Sequence, residues 1–133
     1  TAGGVSSDAL ASLIDVPASL SALVGTKPSA NEIPDSQNQL AVWLGQSRVP
    51  REYAVSMASN RSLTLRTQHY KYISPSDGGP MITWGPKIET GYRSTPQLYD
   101  LDDSSYESAD ISAQKPKVLQ RLQRLLGVVR GGR

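Results

Sequence analysis

Cysteine is absent from the 133-residue chain, which excludes disulfides, thiolate metal sites and a cysteine nucleophile within it. Phenylalanine is absent as well, so any core must rest on Leu, Val, Ile and Ala, helped by Tyr and the two tryptophans, Trp43 and Trp84. Histidine occurs once, as His69. A lone imidazole forms no catalytic pair without a Ser or Cys and a carboxylate within reach, and no spacing here suggests one. At the head of a strand-like run, His69 reads as a surface or edge residue. No stretch approaches the roughly 18 apolar residues of a membrane span, which argues against a membrane partner. The opening "TAGGVSSDAL" has neither the basic start nor the apolar centre of a secretory signal, and reads as the interior of a longer protein.

Hydrophobic residues make up 38% of the chain, below the usual globular share, so the expected core is thin. Part of the surface is then expected to lie against something else. The net charge is only +2, but its distribution is uneven. Acidic residues gather in 100–110 and basic ones in 115–133. Such asymmetry can mark a nucleic-acid partner. Here the basic residues share a helix with an apolar face and lack interleaved aromatics, so no nucleic-acid partner is expected.

Local patterns divide the chain. In "DVPASLSALVG", Asp15 is a candidate N-cap, Pro17 suits the first helical turn and Gly25 supplies the stop. Leu20, Leu23 and Val24 share one face. The residues before Asp15 read equally as a short strand or a helical turn. A Pro- and Ser-rich loop follows, then "QNQLAVWLG". Asp35 or Ser36 is the expected cap there, Leu40, Trp43 and Leu44 the apolar side, and Gly45 the terminator. Three runs then alternate at period two: "EYAVSMA", "SLTLRT" and "HYKYI". After a long Gly/Pro/Ser/Thr segment over 74–96, "QLYDL" returns as a strand, with Leu98 and Asp100 on one face and Tyr99 and Leu101 on the other. From Pro116, the residues Val118, Leu119, Leu122, Leu125, Leu126 and Val129 recur at helical spacing, with Lys117, Gln120, Arg121 and Arg124 toward water. The expected class is α+β: two short helices, then a small antiparallel sheet of about four strands packed on a C-terminal amphipathic helix. The whole of 1–133 is expected to act as one subdomain, with 1–50 a helical lead-in and linker and 51–133 the sheet and helix.

Candidate chemistry is sparse. Counted from Asp100 as a helix-loop-helix calcium loop, the glycine position holds Ser105 and the glutamate position Ile111, so the acidic stretch is a turn rather than a metal loop. The segment 77–91 lacks the Lys-Ser/Thr pair of a phosphate-binding loop. Trp84, Lys87, Tyr92 and Arg93 nevertheless place an aromatic surface and cations on one long loop, a set suited to an anionic, sugar-like ligand. The plainer alternative is a solvated loop anchored to the core by its tryptophan.

In this order, "DVPASLSALVG", the strand pair "LTLRTQHYKYI", the loop "MITWGPKIETG" and Leu-Tyr-Asp-Leu at 98–101 resemble the C-terminal region of the type I sulfatases, the arylsulfatase family. The family's Asp-Pro is replaced by Ser104-Ser105, with Glu107 retained, and its Asn-Leu-Ala by Asp110-Ile111-Ser112. The resemblance implies a parent enzyme that hydrolyses sulfate esters with a formylglycine, formed within a Cys/Ser-x-Pro-x-Arg motif, and a calcium ion. Neither "SRVPR" nor "STPQL" satisfies that motif, so this chain alone is expected to be inactive. The expected partners are an N-terminal catalytic domain and the parent's sulfated substrate, with exposed apolar surface allowing the isolated chain to self-associate. Family analogy points to a periplasmic or secreted protein. Trp84, Lys87 and Arg93, with His69, are the expected substrate contacts at the pocket rim. The alternative is a stand-alone module that binds sulfated or other anionic glycans.

Overall fold

The structure, a computed structural model, describes residues 4, 6–58, 60–82, 84, 90–103 and 107–131. They form two compact units, Thr1–Ala54 and Val55–Arg133.

In the first unit a 3-10 turn, Leu13–Asp15, runs directly into α1 (Val16–Leu23). Asp15 occupies the N-cap position, but its side chain makes no capping bond. Its fully buried carboxylate instead accepts from Arg51 Nη1 at 2.8 Å and from the Gln37 amide at 3.0 Å. Arg51 Nε in turn donates to the Tyr53 carbonyl. The cap arrives from a distance: Ser36 Oγ accepts the Ala18 N–H at 3.1 Å. Ser36 therefore serves α1, not the second helix as expected. Ser19 Oγ likewise accepts the Gln39 N–H at 2.9 Å. With the amides of Gln37 and Gln39 held by α1 side chains, the chain between them stays extended and α2 shrinks to one turn, Leu40–Trp43.

Both predicted glycine stops occur. At Gly25 (φ +77°) the Thr26 N–H reaches the Ser21 carbonyl and the Gly25 N–H that of Ala22; Gly45 (φ +72°) repeats the pattern with Ala41 and Val42. These paired bonds need a left-handed residue after the cap, which glycine adopts without a Cβ clash. The apolar face predicted for α1 points outward: Leu23 is 60% and Val24 71% exposed, while Ser19 on the opposite side is buried. Leu13, just before the helix, is 89% exposed.

The sheet, β1 (Ala54–Met57), β2 (Leu63–Arg66), β3 (Tyr70–Ile73) and β4 (Gln97–Asp100) in that spatial order, lies in the second unit apart from Ala54, together with α3 (Pro116–Gly131). β2 pairs with β3 and β3 with β4 antiparallel, and the register places Leu65, Tyr72 and Leu98 side by side. All three are buried, as are Leu122 and Leu126 of α3. The period-two pattern of the strands and the helical pattern of α3 thus meet in one layer of apolar side chains. Tyr72 keeps its hydroxyl satisfied on Gln123, and burial raises its pKa. β1 is the outer strand, and its Val55 and Met57 remain exposed. The opposite edge is covered. Leu98 donates its N–H to Asp110 Oδ1 and accepts from the Ile111 N–H, so residues 110–111 occupy the bonding positions an open edge would offer a foreign strand.

Lys115 fixes the start of α3 to the sheet. Its Nζ donates to Asp100 Oδ2 at 2.7 Å and to the Tyr70 hydroxyl at 3.0 Å, and lies 4.9 Å from the Tyr70 ring centre. The bond from Lys115 holds the Asp100 carboxyl below its ordinary value, and the bond to Asp100 raises Lys115. At Asp110, burial opposes ionisation but is outweighed by the N–H groups of Ser112 and Leu98, the Ser112 hydroxyl and the Arg93 charge, so its pKa also falls.

Two outcomes follow for stability. Leu65→Ala should cost about 2–5 kcal/mol, since it removes the middle of the buried layer, and denaturant unfolding measures it. Carboxyls lowered in the folded state stabilise it above their unfolded value and lose that contribution as pH falls through the folded value. Thermal melts should therefore show stability declining below pH 3.8, the reference value of Asp100 and Asp110. The Lys115 contribution has the opposite sign, being complete below 10.5 and lost above it. Asp100→Asn should shallow the acid-side decline; an unchanged slope would contradict the assignment.

Candidate functional site

The long segment 74–96 leaves the sheet after β3 and returns at β4. It is tied across its base rather than loose. The Ser76 N–H donates to the Arg93 carbonyl at 2.8 Å, the Thr90 N–H to that of Pro80 at 2.9 Å, and Thr90 Oγ1 to that of Gly79 at 2.7 Å. Gly78 lies against the Tyr92 ring, where a Cβ would sit 2.2 Å from Tyr92 Cδ2. Only a residue without a side chain allows that approach, so Gly78 sets the position of Tyr92. On the return limb Gly91 presents its carbonyl to Gln97 Nε2 at 2.8 Å, and Gln97 Oε1 accepts the Tyr99 hydroxyl at 2.7 Å. Both ends of the buried Gln97 amide are thereby satisfied, and they lock the loop to β4.

Trp84, beyond the tied base, is 79% exposed. The alternative in which this tryptophan anchors the loop to the core does not hold. Arg93 stands at the base with Nη1 3.6 Å from Asp110 Oδ2, and its side chain is largely exposed. Lys87 lies outside the described residues. His69 is elsewhere. The Leu101 N–H bonds its carbonyl at the Tyr70/Asp100 end of the β3–β4 pair, whereas the loop joins at the Ile73/Gln97 end. The two ends are separated by roughly 10 Å along the strands. His69 Nδ1 instead meets Asp102 Oδ2 at 2.8 Å, with both side chains exposed. The structure thus brings Trp84 and Arg93 onto one tied loop and leaves His69 apart from them.

Sequence reasoning passed over the floor beside that loop. On the sheet face away from α3, a cleft of about 420 Å³ is lined by Thr64, Lys71, Tyr92, Arg93, Gln97 and Tyr99, among others. Lys71 Nζ pairs with Glu107 on the same cleft. Glu107 has a φ of +53°, a conformation that costs a residue with a Cβ roughly 1–2 kcal/mol. The ion pair to Lys71 holds it there. The alternation of Lys71 between Tyr70 and Tyr72 already placed it on this face; nothing local in the sequence paired it with a residue 36 positions later. Among the described residues, no group of three or more His, Cys, Asp or Glu is arranged to hold a metal ion. The cleft offers cations and hydroxyls for binding oxyanions and sugar hydroxyls, with an exposed indole on the adjoining loop.

No family model matches the chain. An N-acetylgalactosamine-6-O-sulfatase of Bacteroides thetaiotaomicron is 39% identical over 122 residues, which cover 92% of this chain and 24% of that protein. A solved sulfatase structure, from work on the metabolism of multiple glycosaminoglycans by Bacteroides thetaiotaomicron, superposes with a TM-score of 0.81 at 36% identity, covering 88% of this chain and 24% of that one. The chain therefore spans about a quarter of the length of the relatives it matches. The α+β arrangement agrees with the expected one, and the matched part is the C-terminal quarter. In sequence and in fold, this chain is similar to the C-terminal region of these sulfatases.

Proposed function

We propose that the chain is the non-catalytic C-terminal part of a sulfatase, supplying scaffold and one rim of the substrate pocket. The match to a quarter of a 6-O-sulfatase carries this reading. The relative's name suggests a sugar bearing a 6-O-sulfate as the parent enzyme's substrate class. The residues here do not fit the groups that would cleave the ester. Cysteine is absent, and the serine-led segments at Ser47 and Ser94 depart from Cys/Ser-x-Pro-x-Arg. Formylglycine and calcium, which supply the ester-cleaving chemistry when present, are therefore assigned to an N-terminal catalytic part. The outward apolar side chains of Leu13, Leu20, Leu23 and Val24 support a partner of that kind, because apolar surface gains most from burial.

Within this role Arg93 binds and orients an anionic sugar, with its guanidinium half-neutralised by Asp110, and Trp84 offers a face for a sugar ring. Lys87 and His69 are proposed as further contacts, Lys87 from the same loop and His69 from the far end of the sheet. Purified chain with calcium should not turn over an aryl sulfate, and saturable hydrolysis would overturn the proposal. In the longer enzyme, Arg93→Gln should raise KM roughly tenfold while changing kcat less, as expected for loss of a charged ground-state contact.

The exposure of Trp84 favours a second reading, a stand-alone module for anionic glycans. Under it, fluorescence titration of the isolated chain with sulfated oligosaccharides should quench Trp84, and unsulfated ones should not. A response unaltered by Arg93→Gln would remove this reading.

A further inference from the structure

We infer that the outward apolar face of α1 in the first unit is a docking surface, and that it packs against an apolar surface of the rest of the same sulfatase. The inference rests on the proposed role of the chain and adds where the remaining part docks. The two units differ in what they bury. Among the described residues, Val55–Arg133 encloses Leu65, Tyr72, Leu98, Tyr99, Leu122 and Leu126, whereas Thr1–Ala54 encloses a single hydrophobic residue, Leu10. The other buried residues of the first unit are polar: Asp15, Ser19, Gln39 and Arg51. Asp15 and Ser19 tie α1 to Arg51 and to the amides of Gln37 and Gln39. Hydrogen bonds and a buried ion pair contribute little net stability once their desolvation is counted. The first unit therefore lacks the hydrophobic burial that holds the sheet and α3 together.

Its apolar side chains stand outside instead. Leu13, Ile14, Leu20, Leu23, Val24 and Val49 are all exposed, and Leu20, Leu23 and Val24 recur at helical spacing. From Ala9 to Gly25 the one charged residue is Asp15, and it is buried. The outer surface of this stretch thus carries no charge, whereas a helix face that meets water is normally charged or polar. That neutrality selects the partner. A polyanion is held by Lys and Arg, and a helix lying on a membrane carries them along its polar side. α1 has neither residue, so an apolar protein surface is the occupant it fits. The match to a sulfatase takes in 122 of the 133 residues, so at most 11 of the 54 residues in the first unit fall outside it. Those matched residues cover only 24% of the relative. The first unit is thus shared with a protein that has the remainder of a sulfatase at hand to cover it, which favours that remainder over a second copy of this chain.

Hydrogen exchange of the isolated chain and of the longer enzyme tests it. In the chain alone, the α1 amides should exchange at least about tenfold faster than those of β2, β3 and β4. In the longer enzyme the same α1 amides should slow by about tenfold or more. Leu20→Gln with Leu23→Gln should leave the melting temperature of the isolated chain unchanged and lower that of the longer enzyme by about 2 °C or more. Loss of the folded longer enzyme, with the variant chain still folded, is the same result carried further. Three outcomes would each overturn the inference: α1 amides equally protected in both proteins, a longer variant as stable as its parent, or a longer enzyme that dimerises only while Leu20 and Leu23 are present. These readouts do not depend on catalysis. Hydrolysis of an aryl sulfate by the isolated chain would remove the proposed non-catalytic role and leave the docking result standing.

Discussion

The register of the three central strands constrains everything else in the second unit. Leu65, Tyr72 and Leu98 lie opposite one another, and Leu122 and Leu126 close over them. Because side chains alternate, a slip of one residue in β3 would bury Lys71 and Ile73 and expose Tyr72. The cost of burying an ammonium without its partner makes that slip unfavourable. Once the register is set, Lys71, Gln97 and Tyr99 must share the opposite face, and a polar cleft forms there beside the returning loop. The thin core therefore decides where the binding chemistry lies.

The acidic stretch acquires its meaning from the same arrangement. Asp100 meets Lys115, Asp102 meets His69, Glu107 meets Lys71, and Asp110 meets Arg93. Lys115 ahead of the helix, His69 and Lys71 at one end of the sheet and Arg93 of the loop thus meet acidic residues of β4 and of its connection to α3. Most of these pairs are partly exposed, where each contributes about 0–1 kcal/mol, so their main effect is positional. They direct the connection along the edge of β4, where Asp110 and Ile111 complete the backbone bonding of Leu98. The acidic stretch of the sequence thus becomes internal pairing.

Much of the architecture was legible because the relevant forces are local. Periodicity located β2, β3, β4 and α3, the six apolar positions it marked on α3 turn away from full exposure while Val128 stays exposed, and glycines ended α1 and α2 where a left-handed residue was needed. The sulfatase resemblance was legible from motif order, and the comparisons agree with it. The capping of α1 was not. Asp15 has the residue type and the position of a cap, yet Arg51, 36 residues away, draws its carboxylate into a buried ion pair and Ser36 caps in its place. The one-turn length of α2 follows from the same distant bonds.

The sequence by itself determined the elements, the faces of the strands and of α3, and the absence of a formylglycine motif, since each depends on residue type and short spacing. Tertiary structure alone decided that Trp84 stands in solvent, that His69 lies at the opposite end of the sheet from Arg93, and that Lys71 meets Glu107 across 36 positions. Those outcomes depend on which distant segments meet, and hydrogen bonds and ion pairs between residues tens of positions apart leave no periodic trace in the chain.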